Sequence, residues 1–186
     1  MKIIGVGGTN GSGKDTLGET LAEKGWLFVS VSDFLREEAK KRGLPIEREI
    51  LRTISAEWRR DFGMGVLVDK AVDKFKSSNG KYAGLVAIPM RNAGEAQHLK
   101  DLKGTLVWID APAKLRYERI YSRQRSAEDN KTFEQFLAEE QAEKEHTGDE
   151  ATLNWQGVKD RADIFITNED NDIEKFKQTV QKALNL

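Results

Sequence analysis

Residues 8–16 read Gly-Thr-Asn-Gly-Ser-Gly-Lys-Asp-Thr, a set of residue types suited to holding a phosphate. Glycines adopt positive φ at little cost, so successive backbone N–H groups can converge on one anion. Lys14 adds a cation able to reach the β- and γ-phosphates of a nucleotide. The start of a following helix contributes its positive dipole end and unpaired donors. Gly8, Asn10, Gly11, Ser12, Gly13, Lys14, Asp15 and Thr16 are therefore the candidate nucleotide-binding residues of a P-loop. In many such loops a hydroxyl follows the lysine directly and ligates magnesium; here Asp15 stands in that place and the hydroxyl comes next, at Thr16. Thr16 is expected to contact a phosphate, and Asp15 favours the helix start by facing its dipole.

A second charged set follows the second apolar run, where Ser30 to Arg36 read Ser-Val-Ser-Asp-Phe-Leu-Arg. Open α/β sheets bind ligands at strand ends of this kind. Ser32 or Asp33 is expected to cap the next helix, and Arg36 to fork onto a phosphate entering beside the loop. Further on, Arg116, Arg119 and Arg123 recur at i, i+3 and i+7 and so share a helix face, with Arg125 close behind. Arginines closing over a phosphoryl group in transfer stabilise the charge that builds on its equatorial oxygens. Arg91 and Glu95 stand four apart, so that they pair with each other or Arg91 reaches an acceptor phosphate. Asp110 is expected to cap a helix after Pro112. His98 and His146 read as surface residues, and the four tryptophans form no stacking pattern.

These residues need a scaffold that brings distant strand ends together. Short apolar runs at 3–6, 27–31, 85–88, 105–109 and 164–167 read as strands. Between them, amphipathic stretches at 15–24, 32–42, 47–62, 66–75, 93–102, 114–123, 132–145 and 173–184 read as helices. Strands separated by helices imply an α/β fold, a parallel sheet wrapped on both faces. Residues 125–156 contain no strand-like run and are heavily charged, which suggests a helical flap outside the core. Thr132 and Gln135 give a capping-box pattern for its main helix.

The chain of 186 residues is sized for one domain with a real core. Thirty basic residues nearly balance 31 acidic ones, so bulk charge points to neither nucleic acid nor a membrane surface. With no cysteine, disulfides and thiolate metal sites are excluded, in keeping with a reducing cytoplasm. The first strand begins almost at once, leaving no expected room for a signal peptide. No apolar run approaches the length of a membrane span.

Taken together, these motifs resemble the P-loop nucleoside monophosphate kinase superfamily, and within it a branch similar to adenylate kinases and dephospho-coenzyme A kinases. The resemblance is carried by the Gly-Ser-Gly-Lys loop, Asp33-x-x-Arg36-Glu-Glu-Ala39, Arg42-Gly-Leu-Pro45, and Arg59, Arg60 and Gly63. Arg91-Asn92 with Glu95, Asp110-Ala-Pro112, Arg116-Tyr-Glu-Arg119, Ala162-Asp163 and Asn168 continue it. It implies a three-layer P-loop NTPase fold with a five-stranded parallel sheet and a helical lid. Within a single domain, residues 47–76 would be the acceptor-binding insertion and residues 123–156 the lid. The activity implied is transfer of the γ-phosphoryl group of ATP, with Mg2+, to a small nucleotide acceptor, in a monomer or homodimer. Lys14, Arg119 and Arg123 would be catalytic; Asp33, Arg36, Arg59 and Arg91 would hold the acceptor, with Arg48, Arg52 and Arg60 as further candidates. Two alternatives stay open. Dephospho-coenzyme A would present a hydroxyl, for which Asp33 is the available base. A catalytically weak ATP-binding regulator is the other, because Ile88 occupies the position where related kinases place a magnesium-positioning aspartate. Asp15, Asp33 or Asp110 would have to substitute, or nucleotide and water alone would hold the metal.

Overall fold

The computed structural model describes residues 1–123, 131–144 and 148–186. Five strands form one sheet: β1 (Ile3–Gly8), β2 (Leu27–Ser30), β3 (Leu85–Ile88), β4 (Thr105–Asp110) and β5 (Ile164–Thr167). Their order is β2-β3-β1-β4-β5, and every pairing is parallel. The central strands are buried on both faces, which is why β3 and β4 read as continuous apolar runs. The connection from β1 runs to β2 on one side and that from neighbouring β4 runs to β5 on the other, which opens a crevice at the C-terminal ends of β1 and β4. The loop at residues 8–16 fills that crevice.

Helices cover both faces. On one side α1 (Lys14–Glu23) and α9 (Ile173–Leu184) bury Leu17, Leu21, Phe176 and Val180 against Val6, Val107 and Ile109. On the other, α2 (Val31–Lys41), α3 (Arg48–Phe62), α4 (Val66–Lys76) and α5 (Ala93–Asp101) pack over Leu85, Ala87 and Leu106. Trp58 of α3 and Leu67 of α4 seal that core. Then come α6 (Ala113–Arg123), α7 (Phe133–Lys144) and the five-residue α8 (Trp155–Lys159).

The expected strands and longer helices are present, with ends shifted by one or two residues, and three readings change. The second helix starts at Val31 with Ser30 at its cap position and no side-chain cap bond, so neither Ser32 nor Asp33 caps it. The short α8, not expected from the sequence, begins at the end of the stretch read as a flap and runs past it. Moreover, that stretch is not wholly outside the core: Phe136 and Ala151 are buried, and Trp155 stacks on Trp108 at 5.5 Å. The capping box of α7 forms as its sequence suggests, with Gln135 N–H donating to Thr132 Oγ1 and Thr132 N–H to Gln135 Oε1. Arg125 and His146 lie outside the described residues.

Candidate active site

The loop after β1 turns through two glycines whose conformation no other residue fits. Gly11 and Gly13 have φ of 78° and 102°; a Cβ on Gly11 would stand 2.8 Å from the Arg116 carbonyl, and one on Gly13 2.7 Å from the Asn168 amide. Gly13 is also the cap position of α1, and no side-chain cap spends the first N–H groups of that helix. The residues that carry them, Lys14, Asp15 and Thr16, line the cleft. The Lys14 ammonium donates to the carbonyls of Gly8 and Thr9, at 3.0 and 2.5 Å. Burial pushes its pKa from 10.5 down to about 7; Arg91 adds to the effect, Asp15 opposes it, and Arg123 and Arg116 contribute more weakly. An ammonium so depressed gains most from an arriving polyphosphate, which favours its charged form.

The rest of the loop is braced from behind. Ser12 is fully buried and its hydroxyl donates to the Thr9 carbonyl, so its side chain supports the turn and does not enter the cleft. Thr9 Oγ1 donates to Asp110 at 2.8 Å, and Asp110 also accepts from the Ala111 N–H. Asp110 thus ties the loop to the end of β4; Ala111 and Pro112 separate it from α6, and no hydrogen bond joins it to the first turn of that helix. Asn168, after β5, donates its amide to the Ser12 carbonyl at 3.0 Å. Sequence spacing gives no sign of this contact, since the two residues stand 156 apart.

One cleft of about 730 Å³ runs from this loop between α2, α3 and the end of β3. It is lined by Asn10, Gly11, Gly13, Lys14, Asp15 and Thr16 from the loop, and by Arg36, Arg59, Arg91, Arg119 and Arg123 from elsewhere. Gly8 and Asp33 do not line it. Asp33 is exposed and bonds to Arg36 at 2.6 Å, an i, i+3 pair on the surface of α2. Arg91 donates to the Asn10 side chain at 3.1 Å, which brings the end of β3 to the loop. Arg119 donates to the Gly11 carbonyl at 3.1 Å, to Asn171 at 2.9 Å and to the Asp170 carbonyl. Burial lowers its pKa from the usual arginine value, with Asp170 opposing. A second, smaller hollow of about 240 Å³ lies beyond it, bounded by Arg119, Gly13, Asn168 and residues 170–173.

Arg59 has a different position from the one expected of an acceptor ligand. It is 3 % exposed and its guanidinium is committed to protein groups. Nε and Nη2 donate to Glu95 Oε1 at 3.0 and 2.6 Å, and Nη1 donates to the Ala151 carbonyl at 2.7 Å and to Ser55 at 3.2 Å. Glu95, fully buried, turns its other oxygen to the backbone N–H groups of Arg91 and Asn92. Hence Glu95 meets Arg91 through the main chain while capping α5. Asn92 donates to the carbonyls of Glu150 and Thr152, both at 2.7 Å. The result is a buried polar hub fastening α3, the β3–α5 turn and the strap at residues 149–154. Arg116 is likewise structural. It donates to the Ala111 carbonyl, forks onto Glu140 and stacks over Phe136, locking α7 onto α6.

Ile88 is 1 % exposed and lies on the cleft floor, so the β3 end offers no carboxylate. Among the described residues no group of three or more His, Cys, Asp or Glu side chains could hold a metal ion. Asp15, Thr16 and Glu19 of α1, with Asn10 of the loop, bring oxygen-bearing side chains to the cleft. No helix among the described residues is long and apolar enough to cross a membrane.

Comparison with known proteins agrees with this architecture. The family described as an AAA domain matches residues 4–146. A UPF0200 protein of Pyrococcus abyssi is 32 % identical over 96 % of this chain and 93 % of its own length. Another from Sulfurisphaera tokodaii is 31 % identical over 99 % of this chain and 96 % of its own. Among solved structures, shikimate kinase from Acinetobacter baumannii in complex with shikimate superposes with a TM-score of 0.57 at 18 % identity, covering 100 % of this chain and 94 % of that one. Dephospho-CoA kinase from Campylobacter jejuni gives the same score and identity, covering 100 % and 96 %. At these identities the likeness establishes the P-loop kinase fold.

Proposed function

Since the chain belongs to the AAA domain family and to the UPF0200 proteins, and has the fold of P-loop kinases, we propose that it transfers the γ-phosphoryl group of ATP to a small nucleotide acceptor. The observation that carries this reading is the convergence of Lys14, Arg91, Arg119 and Arg123 on one cleft at the phosphate loop. The donor phosphates lie along the N–H groups of the loop and α1, with Lys14 leaving its carbonyl partners to meet them. The donor base occupies the hollow beyond Arg119. Arg36 and Arg91 hold the acceptor phosphate, and Arg123 with Lys14 offsets charge on the moving group. Residues 47–76 serve as the acceptor insertion and residues 123–156 as the lid.

An acceptor phosphate is already ionised at neutral pH and needs no general base. That suits a cleft from which Asp33 is turned away. Magnesium would supply charge neutralisation to the polyphosphate and enter with the nucleotide, because among the described residues no cluster of three or more carboxylate or histidine side chains could hold it. Asp15, the Thr16 hydroxyl and Glu19 are the carboxylate and hydroxyl groups that the loop and α1 bring to the cleft. A buried Ile88 supports a second reading, an ATP-binding regulator with feeble transfer.

ATP consumption with magnesium against ribo- and deoxynucleoside monophosphates and dephospho-coenzyme A separates the two. Turnover with an acceptor, abolished in Lys14→Ala, supports the kinase. ATP binding without turnover on any acceptor supports the regulator.

A further inference from the structure

The cleft-facing edge of α3 reads Arg48, Arg52, Ser55 and Arg59, at i, i+4, i+7 and i+11, while Ile54 and Trp58 on another edge of the helix bury into the core. This stripe is a rail of cations along one wall. Its two ends differ. Arg59 is neutralised by Glu95. Arg48 borders a small void that Asn10 of the phosphate loop also lines, so it marks the loop end. Arg52 stands one turn on from Arg48, about 6 Å along the helix axis, and Arg36 of α2 lines the same cleft.

The surrounding chemistry is one-sided. In a chain of net charge −1, the cleft is lined by eight cationic side chains and three carboxylates. Groups that read a nucleobase are scarce. Among the described lining residues outside the phosphate loop there is no Asn, Gln, His, Tyr or Trp, and Phe28 is the one aromatic ring. Leucines and serines complete the wall. Side chains that pair a donor with an acceptor, or offer an aromatic stacking face, are the common readers of a base in a pocket; arginines in this number favour anions.

We propose that the acceptor carries a second anionic group besides the one at the transfer end, held by Arg52, and that charge and not base identity selects it. This inference rests on the phosphoryl-transfer reading and names the chemical class of its acceptor. Its shared chemistry is a compact bis-anion, either a nucleoside bisphosphate or a non-nucleotide bisphosphate.

The test compares two pairs of probes on the full chain, by calorimetric binding and by ATP-dependent turnover. One pair is AMP and adenosine 3′,5′-bisphosphate; the other is fructose 6-phosphate and fructose 1,6-bisphosphate. The bisphosphate of each pair is expected to bind about tenfold or more tightly than its monophosphate, the discrimination of one charge-assisted contact. Arg52→Gln reduces that margin to about threefold or less, and Arg52→Lys restores part of it. A margin in both pairs that Arg52→Gln removes supports the proposal even where no probe turns over, an outcome that would count against the nucleotide-kinase reading alone. Turnover of AMP with no bisphosphate margin overturns the proposal and leaves the kinase reading intact. A margin confined to the nucleotide pair, or one that Arg52→Gln leaves unchanged, also overturns it.

Discussion

The phosphate loop draws its anion-binding groups from nine consecutive residues and mostly from their backbone, whereas the arginine half of the cleft collects side chains from α2, α3, the end of β3 and α6. The first is a local device: three positive-φ glycines and an uncapped helix start shape it, and bracing by Ser12, Asn168 and Asp110 only holds it still. The second exists only when the fold is complete, because a buried ion pair fixes the wall on which its arginines stand. Chemistry made from backbone is therefore separable from stability here, while chemistry made from distant side chains depends on a stability element next to it.

The sharpest way to break the comparison is at the hub. Arg59→Met leaves Glu95 buried without its cation, which costs about 3–5 kcal/mol and lowers Tm by roughly 6–20 °C in a chain of this size. Chemical denaturation and calorimetry check both figures. Pairing it with Glu95→Gln is expected to recover part of the loss, since two neutral groups need less compensation than one orphaned charge. If Arg59→Met were neutral in stability, the division between the two halves would fail.

Lys14→Ala should do the reverse. It is expected to reduce turnover by about 100–1,000-fold, the scale for removing one preorganised electrostatic contact, while leaving Tm unchanged or slightly raised. Steady-state kinetics beside a thermal scan read the two effects in one preparation.

A pH dependence sharpens the same point. The unliganded folded chain releases the Lys14 proton near pH 7, whereas the unfolded chain keeps it up to 10.5. Between those values the unfolded chain holds more protons, so stability of the unliganded protein rises with pH across that window. Bound polyphosphate restores the charged form. ATP binding therefore takes up a proton above pH 7 and weakens as pH rises, approaching about tenfold per unit. Calorimetry in two buffers of different ionisation enthalpy measures the uptake, and Lys14→Ala should abolish it.

The smallest effect belongs to Arg36. Its ion pair with Asp33 is exposed, so Arg36→Met is expected to change stability by less than about 1 kcal/mol while raising the acceptor KM. A stability loss comparable to that of Arg59→Met would contradict the geometry.

How far the sequence could be read follows the same division. The strands at 85–88 and 164–167 and the helix at 173–184 have the expected ends, because apolar runs bounded by turn residues are local signals. The loop was legible for the same reason. Arg59 was not: it reads as one more arginine on a helix, and only its meeting with Glu95, 36 residues on, makes it structural. Asn168 acts through a carbonyl far along the chain and leaves no local mark. Asn92 has a local role in capping α5 with Glu95, but its bonds to the Glu150 and Thr152 carbonyls could not be read from spacing. The strap at residues 149–154 and α8 were obscured by charge, since a few apolar residues such as Ala151 and Val158 suffice to dock them. Ile88 is the opposite case, visible in the sequence as a departure and found in the structure as ordinary core.

The most direct measurement follows the terminal phosphoryl group itself. ATP labelled in its γ-phosphate is mixed with enzyme, magnesium and the acceptor panel in a single turnover, for the native chain and for Lys14→Ala. The account predicts that label moves onto an acceptor with the native chain and stays in ATP with the variant. Label released only as inorganic phosphate, or transfer equal in both proteins, would contradict it.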